Sequence, residues 1–213
     1  LFGGHEVTYQ AWNGITADQL KNNRTYNSAG EYTDDNGVTQ YHDNEIDDYK
    51  QDHFQLHWYE TWNSAWNTHL AVHYTRGRGY FEQYRDDDDF ATYGLEPITV
   101  NGDLVETTDL IRRRWLDNDF YGTIFSATYN YENLELIMGG GYNEYKGDHF
   151  GEIIWAEYAS NSEYGDRYYD DTSTKTDFNV YTKANYKLTD QWSLFGDLQY
   201  RGVTYEANGD DTG

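Results

Sequence analysis

Strands of ten or more residues, turned back through three or four residues at one end and through about thirty or forty at the other, leave few folds open to a chain. That pattern occurs three times in this sequence. It is clearest at Lys175 to Tyr205. There Phe178, Val180, Thr182, Ala184, Tyr186 and Leu188 alternate with Asp177, Asn179, Tyr181, Lys183, Asn185 and Lys187, the period of a strand with one apolar and one polar face. The alternation resumes at Trp192, Leu194, Gly196, Leu198 and Tyr200. Pairing Leu188 with Trp192 leaves a loop of Thr189-Asp190-Gln191, sets Tyr186 against Leu194 and Thr182 against Leu198, and brings Lys183 opposite Asp197.

Two further hairpins follow the same logic. In His53 to Trp62, Phe54, Leu56, Trp58 and Trp62 share one face and His53, Gln55, His57, Tyr59 and Thr61 the other; Asn63-Ser64-Ala65 turns the chain, and Trp66 begins the return with Leu70, Val72 and Tyr74 apolar. Tyr121 to Tyr129 alternates likewise, and a turn at Asn130 to Asn133 would set Ala127 against Leu136 and Phe125 against Met138. Gly139-Gly140-Gly141 is expected to weaken or bend that return strand. A first strand is expected at His5 to Trp12. Between the hairpins lie connections at Asn13 to Asp52, with a short helix around Ala17 to Lys21, at Arg85 to Arg113, with a small turn at Asn101-Gly102-Asp103, and at Gly147 to Thr174.

Composition narrows the choice. Only 37% of the 213 residues are hydrophobic while 18% are aromatic, so an Ala- and Leu-filled core is not expected. No run of 18 apolar residues exists to make a membrane helix, but barrel strands show lipid only every second side chain and escape that test. A net charge of -23 argues against a nucleic-acid partner, and the absence of Cys excludes disulfides and thiolate metal sites. Leu1 in place of a starting Met, and an acidic turn at Asn208 to Asp211, are what a segment of something longer would show.

These features predict an all-β chain: an antiparallel up-and-down transmembrane β-barrel wall with short turns on one side and long acidic loops on the other. Aromatic residues mark the short-turn ends, at Trp62 and Trp66, Tyr129 and Tyr131, and Tyr186 and Trp192, where an interfacial girdle would lie. The three long connections hold 24 of the 38 acidic residues, nine, eight and seven in turn. The run Asp86, Asp87, Asp88 and Asp89 is a candidate for ligand contact, although consecutive acids lack the spacing of a calcium loop and suit a solvated charge run.

The segments VTYQAWNG, NEIDDYKQDHFQL, RGRGYFEQYRDDDDFATYGL, DLIRRRWLDNDFYGTIFSATY, DHFGEIIWAEYAS and FNVYTKANYKLTDQWSLFGDLQYRGVTYEANG are similar to the middle of the barrel in TonB-dependent outer-membrane receptors. The resemblance covers nearly the whole chain. It implies about seven strands of a 22-strand barrel, with residues 1–213 part of that single domain in the Gram-negative outer membrane. The implied function is import of a scarce nutrient, such as siderophore-bound iron or cobalamin, with TonB-supplied energy. The implied partners are outer-membrane lipid, a small nutrient ligand and the TonB complex acting through a plug; neither plug nor TonB box matches any segment here. Loop residues such as Trp155 would join the ligand site. No cofactor or catalytic residue is implied, and no G-x-S-x-G, H-E-x-x-H or Walker A motif occurs.

The Trp62 to Trp66 register places His57 diagonal to His69 and His73, a geometry that would let a transition metal join two of the three, although neutral polar-face histidines suit the same positions. Lys183, Asp197, Gln199 and Arg201 are expected to line the lumen. A soluble β-sandwich that binds glycans would also be rich in Tyr and Trp with acidic loops, and it predicts folding without detergent. A barrel enzyme predicts a nucleophile and a His in register on one wall, which the sequence does not offer.

Overall fold

The computed structural model describes residues 1–34 and 36–209. Seven strands form one antiparallel sheet: β1 (Phe2–Tyr9), β4 (Ile46–Thr61), β5 (Trp66–Asp89), β8 (Thr107–Tyr131), β9 (Leu134–Ala156), β10 (Asp166–Lys187) and β11 (Ser193–Asn208), paired in that order. Each strand pairs with the next long strand in the chain, so the sheet is a simple meander. Among the described residues it is not closed, and β1 and β11 are its edges. Two small hairpins decorate it, β2 (Glu31–Thr33) with β3 (Thr39–Tyr41) and β6 (Ile98–Val100) with β7 (Asp103–Val105). No helix among the described residues is long and apolar enough to cross a membrane, which says nothing about strands.

The β10–β11 register matches the sequence expectation. Tyr186 faces Leu194, Thr182 faces Leu198, and Lys183 faces Asp197 with Nζ 3.7 Å from Oδ2. Thr189 Oγ1 accepts from the Gln191 and Trp192 amides, closing the turn. At the β4–β5 turn the Trp62 amide donates to the Trp66 carbonyl at 3.0 Å, and Asn63 Oδ1 accepts from the Ala65 and Trp66 amides. Here too the expected register holds, with Trp58 opposite Leu70 and Leu56 opposite Val72. The hairpins are also stitched together at this end, because Asn130 donates to the Ala65 carbonyl and Lys187 to that of Asn133.

The β8–β9 hairpin departs from the expectation by two residues. Ala127 faces Met138 rather than Leu136, and Phe125 faces Gly140 rather than Met138. The turn is two residues, Glu132-Asn133, with Glu132 at a left-handed φ of 50°, the backbone that lets a tight hairpin follow the twist of its strands. This adds the ladder pairs Tyr131–Leu134 and Asn130–Glu135. Because side chains repeat every two residues, the slip keeps every residue on its expected face. The three glycines do not interrupt β9, which runs unbroken from Leu134 to Ala156.

The strands are far longer than the sequence pattern suggests, and the connections correspondingly shorter. The first strand is Phe2–Tyr9 rather than His5 to Trp12, and the connections shrink to residues 10–45, 90–106 and 157–165. The expected helix forms as α1 (Ala17–Asn22), started by a capping box in which Thr16 Oγ1 accepts from the Gln19 amide and Gln19 Oε1 from that of Thr16. Asn101 and Gly102, both at positive φ, turn β6 into β7. The acidic turn expected at Asn208 to Asp211 lies partly outside the described residues; Asn208 itself ends β11.

Candidate functional site

The short-turn half of the sheet has an apolar face that nothing in the fold covers. On it stand Phe54, Leu56 and Trp58 of β4, Leu70, Val72 and Tyr74 of β5, Phe125 of β8, Met138 and Tyr142 of β9, Phe178 and Val180 of β10, and Leu194, Leu198 and Tyr200 of β11. Leu198 is 73% exposed, Leu56 69% and Trp192 70%, values that a packed sandwich would not leave on large apolar side chains. Five of the six segments are closed by aromatic residues at both ends, Phe54 and Trp62, Tyr74 and Trp66, Tyr121 and Tyr129, Phe178 and Tyr186, and Tyr200 and Trp192; the sixth, on β9, runs from Leu134 to Tyr142 and has its aromatic residue only at the end away from the turn. Trp66 to Tyr74 is eight residue steps, about 27 Å along a strand and roughly 20 Å of height at a ~40° tilt, comparable with the ~25 Å apolar band of a membrane barrel. Among the described residues the one ionisable side chain other than tyrosine on this band is Glu60, at its turn-side rim between Trp58 and Trp62.

The band stops abruptly. One step past Tyr74, Tyr121 and Tyr142 the same face carries Arg76, Asp119 and Glu144: Arg76 pairs with Asp117 and Asp119, Tyr74 donates to Asp119 at 2.6 Å, and Tyr121 and Tyr142 both donate to Glu144 at 2.8 and 2.9 Å. The rim tyrosines are thus anchored by their hydroxyls to the charged zone while their rings lie on the band.

The opposite face is polar. Lys183, Asp197, Gln199 and Arg201 all lie on it, with Arg201 held by both oxygens of Asp177. It also carries His57 and His69, whose Nδ1 and Nε2 are 3.2 Å apart with rings parallel within 3°. Tyr59 stacks on His69 at 4.2 Å. His73 does not join them; its Nε2 meets Asn143 Oδ1 at 2.9 Å, in space left open by Gly122. Among the described residues no three His, Cys, Asp or Glu side chains converge as a metal set would require. The three-histidine candidate therefore reduces to a pair.

The acidic run is not a loop. Asp86 to Asp89 end strand β5, where a bulge between Arg85 and Asp88 leaves Asp87 at a φ of 50°. Asp88 is committed to structure: Oδ2 accepts from Arg85 Nε at 2.9 Å and from the Tyr93 hydroxyl at 2.6 Å. Trp155 is likewise in a strand, β9, opposite Ile111, and not in the third connection. Sequence reasoning missed this because past the band both faces turn polar, and the two-residue alternation that marks a strand fades.

At the long-connection end, segment 90–106 folds back over the polar face. Phe90, Tyr93 and Leu95 pack on Leu110 and Ile153, a buried apolar cluster in which Phe90 and Leu110 are almost wholly sealed. Ser160 and Asn161 tie this segment to the β9–β10 connection through the backbone of Glu96. Polar partners complete the anchor. Burial alone would raise the Asp88 carboxyl, but Arg85 and the Tyr93 hydroxyl outweigh it and hold it below the usual carboxylate range. Tyr93 is pushed up by burial and by its bond to Asp88. Nearby, burial raises Glu45, which accepts from the Tyr84 amide at 3.0 Å.

Since the folded Asp88 binds its proton more weakly than an ordinary aspartate, its contribution is complete above the ordinary value of 3.8 and is lost as pH falls below it. Asp88→Asn is expected to loosen residues 90–95 by about 1 to 2 kcal/mol at neutral pH, because the pair is partly open to solvent, and by almost nothing in acid. Hydrogen exchange of the Leu95 and Phe90 amides at two pH values measures both.

One group of residues escaped the sequence reading altogether: Arg112 and Arg114 of β8 with Tyr168 and Tyr169 of β10, gathered beside the folded-back segment. The triplet Arg112-Arg113-Arg114 was visible as text, but the face each arginine takes depends on a register that the polar surroundings conceal. No family model, curated protein or solved structure matches the chain.

Proposed function

We propose that this chain forms wall and outward loops of an outer-membrane β-barrel receptor that captures a scarce nutrient at the cell surface and imports it with energy delivered by TonB. The observation that carries the reading is the apolar band: six adjacent strands, nine-residue segments, aromatic residues at both rims of five of them, charge immediately beyond, and a polar reverse face. Such a surface is favourable against hydrocarbon and unfavourable against water, and lipid is the solvent that matches its height. In this orientation the tight turns face the periplasm and the folded-back segments face outward. The polar face, with Lys183, Asp197, Gln199 and Arg201, lines the lumen, and further wall strands pair with the open edges of β1 and β11, which would otherwise invite aggregation. The import half of the proposal, with siderophore-bound iron or cobalamin as cargo and a plug as the moving part, is supported by the resemblance of the barrel segments to TonB-dependent receptors.

The test is reconstitution. The chain is expected to require detergent or lipid vesicles for a monodisperse folded state, to show heat-modifiable electrophoretic migration, and to protect the Phe54–Trp62 and Phe178–Tyr186 segments from aqueous quenchers once in vesicles. A monodisperse, β-rich protein in plain buffer would overturn the membrane reading and favour the glycan-binding sandwich.

A further inference from the structure

With 38 acidic residues against 15 basic ones, a cation in this chain has carboxylates to choose from. Ten of the 15 do pair with one: Lys50, Arg76, Arg78, Arg85, Arg113, Lys146, Arg167, Lys183, Lys187 and Arg201. Among the described residues Arg112 and Arg114 do not, although they are two of the three arginines in the densest cationic stretch of the sequence. The contrast with Arg113 is instructive. It points to the other face and is bound to Glu82 at 2.8 Å.

Arg112 and Arg114 sit on the polar face two residues apart, about 6.8 Å along the strand. The groups they donate to are neutral or aromatic, and the Asp88 carboxylate stands one hydroxyl beyond Arg112, on the far side of Tyr93. Arg112 donates from Nε and Nη2 to Gln83 Oε1 at 3.2 and 2.9 Å and from Nη1 to the Tyr93 hydroxyl at 3.0 Å. Arg114 donates only Nε, to the Tyr169 hydroxyl at 3.0 Å, and its guanidinium lies 5.7 Å from the Phe81 ring centre and 5.2 Å from that of Tyr169. Its two terminal amino groups are left for another acceptor among the described residues. Beside them the Tyr168 hydroxyl is buried and unpartnered.

The place is built by two irregularities in neighbouring strands. A bulge between Arg167 and Tyr169 inserts Tyr168, so that consecutive tyrosines turn toward the same side. Opposite Tyr169 stands Gly151, which also faces Arg114; any side chain there would collide with the rings of both Tyr168 and Tyr169. The missing side chain lets the two rings lie across β9 and reach the arginines on β8.

We infer that Arg112 and Arg114, with the hydroxyl of Tyr169 and the ring of Tyr168 as a wall, form a binding site for the oxyanion of a small molecule, a carboxylate or a phosphate. A planar guanidinium fork stacked between rings matches either group in a bidentate manner, and the rings hold its orientation while its terminal amino groups stay open to solvent and ligand. A small anion is favoured over an extended polyanion, because the chain as a whole, at -23, repels a long chain of charge. The site stands on the geometry of these residues alone; calling its ligand the cargo rests on the receptor reading above.

The experiment is calorimetric titration of the folded chain with citrate and, separately, with inorganic phosphate, for the wild type, Arg114→Gln, the double variant Arg112→Gln/Arg114→Gln, and Arg78→Gln as a control on the other face. Binding of at least one anion is expected. Arg114→Gln should weaken it roughly tenfold, as the loss of a charge-assisted bidentate contact does, and Arg78→Gln should leave it unchanged. Citrate alone binding assigns a carboxylate, phosphate alone a phosphate, and both an unselective oxyanion site. No binding of either at about 10 mM, in the range where even weak phosphate contacts are measurable, or binding indifferent to Arg114→Gln, overturns the proposal. Arg114 is exposed and makes one hydrogen bond, so its single variant decides the matter if the double variant fails to fold. The two readings fail separately: a chain that folds in plain buffer yet binds citrate through Arg114 keeps the site and loses the membrane, and a detergent-dependent chain that binds neither anion does the opposite.

Discussion

Replacing Thr182 with arginine is expected to cost about 2 to 4 kcal/mol of folded stability in lipid vesicles, whereas the same change at the adjacent Tyr181 is expected to cost little. The two side chains are neighbours in sequence and differ only in face. Thr182 lies at mid-band, between Met138 of β9 and Leu198 of β11, while Tyr181 stands on the polar face beside Lys183 and Asp197. A charge on the first would have to be buried in hydrocarbon or drawn to a rim four residues away; on the second it meets a polar wall. Equilibrium urea unfolding of both variants in vesicles measures the difference. Equal effects would mean that the two faces see the same solvent, and the membrane assignment of the band would fall with them.

The second large effect is expected at the other end of the sheet. Phe90 is 1% exposed and packs with Tyr93, Leu95, Leu110 and Ile153. Phe90→Ala should remove about 3 to 5 kcal/mol from this cluster, more than one short segment can sustain. Segment 90–106 is then expected to become sensitive to limited proteolysis, while heat-modifiable migration, which reports the banded half of the sheet, stays as in the wild type. If Phe90→Ala abolishes that migration as well, the folded-back segment and the sheet are one cooperative unit.

Much of this architecture was legible in the sequence, and the boundary of legibility follows the band. Where one face meets an apolar surrounding and the other a polar one, alternation is strong: both the Trp62–Trp66 and Leu188–Trp192 registers follow from it, as does the Lys183–Asp197 pair. Past Tyr74 and Tyr121 the same strands continue with Arg76, Arg78, Asp117 and Asp119, polar on both sides, and nothing in the residue pattern distinguishes them from a solvated loop. That is why the residue pattern places Asp86 to Asp89 and Trp155 in connections. The two-residue slip at Glu132-Asn133 has another cause: turn length trades against strand length without altering any face, so alternation cannot choose between registers. The Arg112–Arg114 site needed the most, because it depends on a bulge at Tyr168 and on a side chain that Gly151 does not have.

The overshoot of the strands also sets a distance. In the proposed orientation Tyr121 marks the outer edge of the bilayer, and β8 continues for fourteen residues beyond it to Thr107, about 48 Å along the strand. Arg114 stands seven residues past that edge, roughly 24 Å along the strand and about 18 Å out at the same ~40° tilt. First contact with a ligand would then be made well outside the bilayer, beyond the screening length of the lipid headgroup charge, which is about 8 Å at physiological salt. A small anion meeting Arg112 and Arg114 would therefore be spared the repulsion of an anionic membrane surface, and the rigidity of paired strands would hold the site at that height.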